Sequence, residues 1–161
     1  MEQERAEELV ARYTDMLLRI GYTWLGDLDD AQDVCQMALI KAWETDQTFP
    51  SPQEEKAWMI RVAVNLCKDW KKSAWVRRRA RLEEGVDLAA APPPEGGMVE
   101  LVQTLPLKYR QVVYLRYFEG YQVQEIAGLL GVAPAAVSNR LSRARRKLKQ
   151  LCEEGAYETI L

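Results

Sequence analysis

The chain has 161 residues, 48% of them apolar, with a formal net charge of -2. That suffices for one ordinary domain or two small helical ones with packed cores. It holds no histidine and three widely spaced cysteines, Cys35, Cys67 and Cys152, which excludes Ser-His-Asp and Cys-His catalysis, a zinc finger and a disulfide framework.

Nearly every long segment repeats its apolar residues at helical rather than alternating spacing, so the expected fold class is all-α. The first helix spans roughly residues 3 to 22. Its opening, MEQERAEELVARY, is too charged for a signal peptide, and no run of about 18 uncharged apolar residues follows anywhere. The expectation is a cytoplasmic protein without membrane insertion.

The second helix, roughly 29 to 45, lies within DLDDAQDVCQMALIKAWE, where Asp29 or Asp30 supplies the N-cap and faces the positive end of the dipole. Its core stripe is Ala31, Val34, Cys35, Ala38 and Ala42, with Cys35 acting as a small apolar residue. About 180° away lie Asp33, Gln36, Met37, Ile40 and Trp43. A helix apolar on both sides must bury both, so either another helix of the same domain covers this second face or a partner docks on it. DLDDAQ begins like a calcium loop, but Gln32 stands where glycine is required and Ala38 where the closing glutamate belongs. No metal site is expected.

After the break DQTFPSP, a third helix runs from about 53 to 80. It is expected to bury Trp58, Met59, Val62, Ala63, Leu66 and Trp70 at helical spacing. Its other side carries Arg61, Asn65, Lys68, Asp69 and Lys72, and basic character continues through Arg77, Arg78, Arg79 and Arg81. A polar stripe near aromatics suits a DNA strand held open, with cations tracking phosphates and pockets accepting unstacked bases. LEEGVDLAAAPPPEGG, from Leu82 to Gly97, cannot continue a helix and reads as a linker, about 55 Å long at full extension.

Beyond it, helices are expected at roughly 97 to 104, 107 to 118, 122 to 130 and 134 to 152. Val123, Ile126, Ala127 and Leu130 make one face of the third of these, Gly131 permits a sharp exit, and Pro134 suits the first turn of the last helix. In that last helix Val137, Leu141, Ala144, Leu148 and Leu151 form the core stripe, which turns Ser138, Asn139, Ser142, Arg143 and Arg146 outward. The run Arg140, Arg143, Arg145, Arg146, Lys147 and Lys149 has no acidic residue among it. Arg can pair bidentately with guanine and Asn with adenine, while the remaining Arg and Lys can neutralise phosphates, so Arg140 and Lys147 join the candidate DNA-binding set. Alone, the basic run reads as a solvated face on an ordinary helix pair; with the glycine turn and proline start it reads as a helix-turn-helix set to enter a major groove.

LPLKYRQVVYLRYFEGYQVQEIAGLLGVAPAAVSNRLSRARRKL, from Leu105 to Leu148, resembles region 4 of bacterial sigma factors, the helix-turn-helix that reads the promoter's -35 element. WMIRVAVN with the preceding FPSP resembles regions 2.3 and 2.4 of the small extracytoplasmic-function members. Asp33 and Gln36 match the family's region 2.2 pattern.

The resemblance implies two small helical domains, 1–81 and 98–161, joined by a flexible linker, 82–97. Asp33, Gln36, Met37, Ile40 and Trp43 are then the surface that grips a coiled coil of the largest polymerase subunit. Phe49 to Glu54, including Ser51, form a loop that captures a flipped -10 base, with Phe49 and Asn65 in its pocket and Arg61, Lys68, Asp69 and Lys72 beside it. For Phe49, a loop anchor packed into the domain core stands beside that reading. Ala133, Ala136 and Met37 depart from the family pattern, losing a helix cap of about 1 kcal/mol at Ala133. Implied partners are core RNA polymerase, promoter DNA and an anti-sigma factor, with no catalysis and no cofactor. A stand-alone helix-turn-helix regulator, its first half serving dimerisation or sensing, is the alternative.

Overall fold

The structure is a computed structural model that describes residues 2–45, 48–83 and 97–153. It is helical, with no strand among the described residues. The chain divides into two compact units, Met1–Ala91 and Pro92–Leu161. Of the expected linker, Leu82 and Glu83 instead end the third helix and Gly97 opens the fourth; its remaining residues, 84–96, and the tail from 154 lie outside the described residues, as do the side chains of Arg77, Arg78, Arg79 and Arg81.

The first unit contains α1 (Glu2–Leu25), α2 (Leu28–Glu44) and α3 (Pro52–Glu83), each packed on the other two. Along α1 the buried residues Leu9, Tyr13, Met16, Leu17 and Ile20 form one stripe at helical spacing, and the last turn, Ile20 to Trp24, is buried all round; a helix that covers two neighbours needs such a widened face. From α2 come Ala31, Val34, Cys35, Ala38 and Ala42, as the spacing predicts.

Small residues bring α1 and α2 close together: a Cβ on Gly21 would lie 2.8 Å from the Ala31 Cα and 2.9 Å from its Cβ. Gly26 then turns the chain at φ 70°, a conformation that costs other residues about 1–2 kcal/mol. The N-cap of α2 is Asp27, not Asp29 or Asp30. Its extended backbone lets the carboxylate accept from the Asp30 N–H at 3.0 Å, while Asp29 and Asp30 fall inside the first turn, where their charge still opposes the dipole.

In α3 the buried face is Met59, Ile60, Val62, Ala63, Val64 and Cys67. Trp58, Leu66 and Trp70, expected in the core, are half-buried. The helix is wedged against both α1 and α2, so its apolar arc is wider than one stripe and is rotated toward Ile60, Val64 and Cys67. Burial alone pushes the Cys67 thiol up to about 12, and burial followed by the Asp15 charge raises that of Cys35; both act as small apolar residues.

The second unit contains α4 (Gly97–Gln103), α5 (Leu107–Val113), a π-helical turn (Tyr114–Phe118), α6 (Val123–Leu130) and α7 (Pro134–Glu153). Leu101, Val102, Leu105, Val113, Ala144 and Leu148 form one core, with Tyr109, Leu151 and Cys152 packed against it. Arg110 is held inward, its guanidinium donating to the Leu105 carbonyl at 3.0 Å.

The expected single helix from 107 to 118 loosens after Val113. The Glu119 N–H reaches the Tyr114 carbonyl at 3.2 Å, five residues back, and the Tyr121 N–H reaches that of Leu115 at 3.0 Å. Side chains hold the wider turn: the Tyr114 hydroxyl donates to Glu119 at 2.7 Å, and the Tyr114 and Phe118 rings stack with centroids 5.5 Å apart. Such turns absorb a residue that the α repeat cannot seat.

Candidate nucleic-acid interface

The α6–α7 pair is built as the sequence suggests. At the start of α6 the Glu125 carboxylate accepts from the Gln122 N–H at 2.9 Å, which satisfies a donor the helix leaves unbonded. At its end Gly131 adopts φ 69° and ψ 35°, the left-handed conformation that reverses the chain without a Cβ clash. Ala133 brings no side-chain oxygen; its carbonyl accepts from the N–H groups of Ala136 at 3.0 Å and Val137 at 3.3 Å. Pro134 then opens α7.

Along α7, Val137, Leu141, Ala144 and Leu148 are buried and Leu151 is half-buried. Ser138, Asn139, Ser142, Arg143, Arg146 and Lys147 are exposed, and Arg140 is half-buried. At 100° per residue, Asn139, Arg143 and Arg146 stand opposite the core stripe, with Ser138 and Ser142 on one flank and Arg140 and Lys147 on the other. Planar donors and a bidentate amide on one exposed face can read base edges, and flanking cations can neutralise phosphates beside a groove. Arg145 is turned aside: its Nε–H donates to the Tyr117 hydroxyl at 2.8 Å.

In the first unit, Asp33 and Gln36 are exposed, and Met37, Ile40 and Trp43 are 41%, 51% and 47% exposed. Neither α1 nor α3 covers that face of α2, which closes the alternative in which a neighbouring helix buries it. On α3, Arg61, Asn65, Lys68, Asp69 and Lys72 are all exposed along one side. Phe49 is half-buried, its ring 5.6 Å from that of Trp58 at an interplanar angle of 51°. Phe49 is thus anchored on a tryptophan that itself remains half-open. The Ser51 hydroxyl oxygen caps α3 by accepting from the Glu54 N–H at 3.2 Å.

Sequence reading missed three features. The Trp58 partnership with Phe49 joins a loop to a helix and leaves no periodic trace. Tyr117 and Phe118 are both exposed; the π-helical turn carries them past the face that buries Val112, Val113, Tyr114 and Leu115, a change of period the sequence does not announce. Tyr13 and Arg12 of α1 both bond Glu55 of α3, a pairing across more than 40 residues.

Family models for two parts of one protein class match in the expected order. Sigma-70 region 2 matches residues 9–81, and sigma-70 region 4 matches residues 97–148. The probable RNA polymerase sigma factor RfaY of Xanthomonas campestris is 33% identical across 91% of this chain, and the ECF RNA polymerase sigma factor SigE of Mycolicibacterium smegmatis is 30% identical across 95%. The chain spans 40% of the length of the first and 63% of the second. Among solved structures it is similar to CnrH, determined in complex with the cytosolic domain of CnrY, with a TM-score of 0.65 and 28% identity over 94% of this chain and 90% of that one.

Proposed function

We propose that this chain, which belongs to the sigma-70 family in its extracytoplasmic-function branch, binds core RNA polymerase, directs it to specific promoters and helps open the DNA there. The observation that carries the reading is the pairing, in family order, of an uncovered apolar face on α2 with a base-reading face on α7. In this reading residues 1–81 dock on polymerase through Asp33, Gln36, Met37, Ile40 and Trp43. They also hold the -10 element through Phe49, Ser51, Arg61, Asn65, Lys68, Asp69 and Lys72. Residues 98–161 read the -35 element through Ser138, Asn139, Arg140, Ser142, Arg143, Arg146 and Lys147, and residues 82–97 connect the two.

The chemistry divides accordingly. Exposed apolar side chains gain free energy only by leaving water, so the α2 face supports a protein partner. The cationic faces gain by displacing counterions from phosphates, so each binds DNA weakly and with strong salt dependence. Tethering both sites on polymerase turns two weak contacts into one selective one. The protein supplies binding and not a reaction of its own. No helix among the described residues is long and apolar enough to cross a membrane, and the proposed place of action is the cytoplasm. CnrH, solved with the cytosolic domain of CnrY, supports a regulatory protein partner here too, and an anti-sigma factor is the partner proposed.

Run-off transcription over a library of promoter fragments tests the reading. Defined start sites should arise only when the chain and core polymerase are combined. Tight duplex binding by the chain alone, with no such initiation, would instead establish a stand-alone regulator.

A further inference from the structure

Where α1 meets the first turn of α3, two donors converge on one oxygen. The Tyr13 hydroxyl donates to Glu55 Oε1 at 2.6 Å and the Arg12 guanidinium to the same atom at 2.9 Å. Tyr13 is 3% exposed and the Glu55 side chain 15% exposed, so the hydroxyl bond forms largely out of water, where charge-assisted bonds are strongest. Burial, with the carboxylate beside it, pushes the Tyr13 phenol up to about 12, which keeps it a donor at any ordinary pH.

The neighbours of Glu55 give this cluster a use. The Glu55 N–H donates to the Ser51 carbonyl at 3.2 Å, the Glu54 N–H donates to the Ser51 hydroxyl, and one turn further on Trp58 meets Phe49. The segment from 48 to 51 is therefore tied to the first turn of α3, and that turn to α1. Partly buried ion clusters are poor sources of net stability, because desolvation offsets the attraction, whereas they set geometry well.

We propose that Glu55 is a positioning residue: anchored by Tyr13 and Arg12, its carboxylate holds the start of α3, the 48–51 segment and the Phe49–Trp58 pair in the geometry that accepts an unstacked promoter base. The proposal rests on the reading of that loop as the -10 pocket.

The test uses holoenzyme reconstituted from the full chain and core RNA polymerase, with a pool of randomised single-stranded DNA as probe and sequencing of the bound fraction. Tyr13→Phe, which removes only the hydroxyl, should cut base preference at the captured position about tenfold, the scale of one charge-assisted bond. Glu55→Ala should do the same. Glu55→Gln, whose amide oxygen still accepts from Tyr13, should retain most of the preference. Core association and thermal midpoint should stay near wild type for Tyr13→Phe and Glu55→Gln.

Preference within twofold of wild type in Tyr13→Phe overturns the proposal. So does a loss of preference in all three variants that merely tracks their thermal midpoints. Phe49→Ala separates the layers: if it leaves preference intact, the pocket reading and the proposal fall together, and if it abolishes preference while Tyr13→Phe does not, only the positioning role falls.

Discussion

Helices α2 and α7 each bury one stripe and present another, yet the presented stripes differ in kind: Met37, Ile40 and Trp43 on α2, Asn139, Arg143 and Arg146 on α7. Leaving the α7 face in water costs nothing, since its groups are well hydrated. Leaving the α2 face in water forgoes about 25 cal/mol for each Å² of apolar surface. A chain that keeps such a face open while burying Ala31, Val34 and Ala38 on the other side of the same helix fits the docking role proposed for that face. The contrast teaches that exposure alone does not define a site; the chemistry of what is exposed selects the class of partner.

The sharpest way to break this contrast is to make the α2 face resemble the α7 face. Ile40→Asp with Trp43→Asp should lower association with core polymerase by about 30-fold or more, the scale of losing an aromatic anchor, and should leave folding intact because both side chains already meet water. Competition binding against a labelled sigma factor measures it. Unchanged association would remove the docking assignment and leave the exposed stripe without an explanation.

A second test leaves the face alone and disturbs what lies beneath it. Gly21→Ala drives a methyl into the Ala31 backbone, which a flexible side chain could relieve but a packed helix cannot. The expected cost is about 1–3 kcal/mol of first-unit stability, read by denaturant unfolding. The variant should lose polymerase association only in proportion to its unfolded fraction, which distinguishes α2 as a scaffold from α2 as a contact.

These contrasts were unequally legible in the sequence. Helix order and the outward faces of α2 and α7 follow from three-and-four spacing, which hydrophobic burial enforces over many residues at once. The helix-turn-helix was legible because Gly131 and Pro134 each have a narrow conformational use. The N-cap was assigned two or three positions late because several aspartates compete in GDLDD, and only backbone geometry selects Asp27. The π turn was hidden because ring stacking and the Tyr114–Glu119 bond hold it, neither of which has a hydrophobic period. The Glu55 cluster and the Phe49–Trp58 pair join separate elements and so leave no local signature, and the rotation of α3 depends on where two other helices lie.

On α7 the comparable substitution is Arg143→Ala. It removes a guanidinium from the centre of the exposed face without touching Val137, Leu141 or Ala144, so thermal stability should stay within about 0.5 kcal/mol. Transcription from a promoter with an intact -35 element should fall about tenfold, since one bidentate base contact carries about 1–3 kcal/mol. Association with core polymerase should not change. A loss of association would mean that the two faces are not separable by chemistry, contrary to the contrast drawn from their residues.

The smallest expected effect separates two kinds of residue within α7 itself. Lys147 lies on the flank of the face, where the proposed reading has it neutralise backbone phosphate without carrying sequence information; Asn139 lies at its centre, where that reading has its amide pair with adenine. For holoenzyme bound to promoter fragments, Lys147→Ala should flatten the dependence of log affinity on log salt by about one unit, the yield of one phosphate contact, and should weaken all promoters alike. Asn139→Ala should leave that slope unchanged and alter the order in which promoters are preferred. If both variants shift the slope and neither shifts the order, the centre of α7 holds phosphate too, and the face tracks the backbone without reading bases.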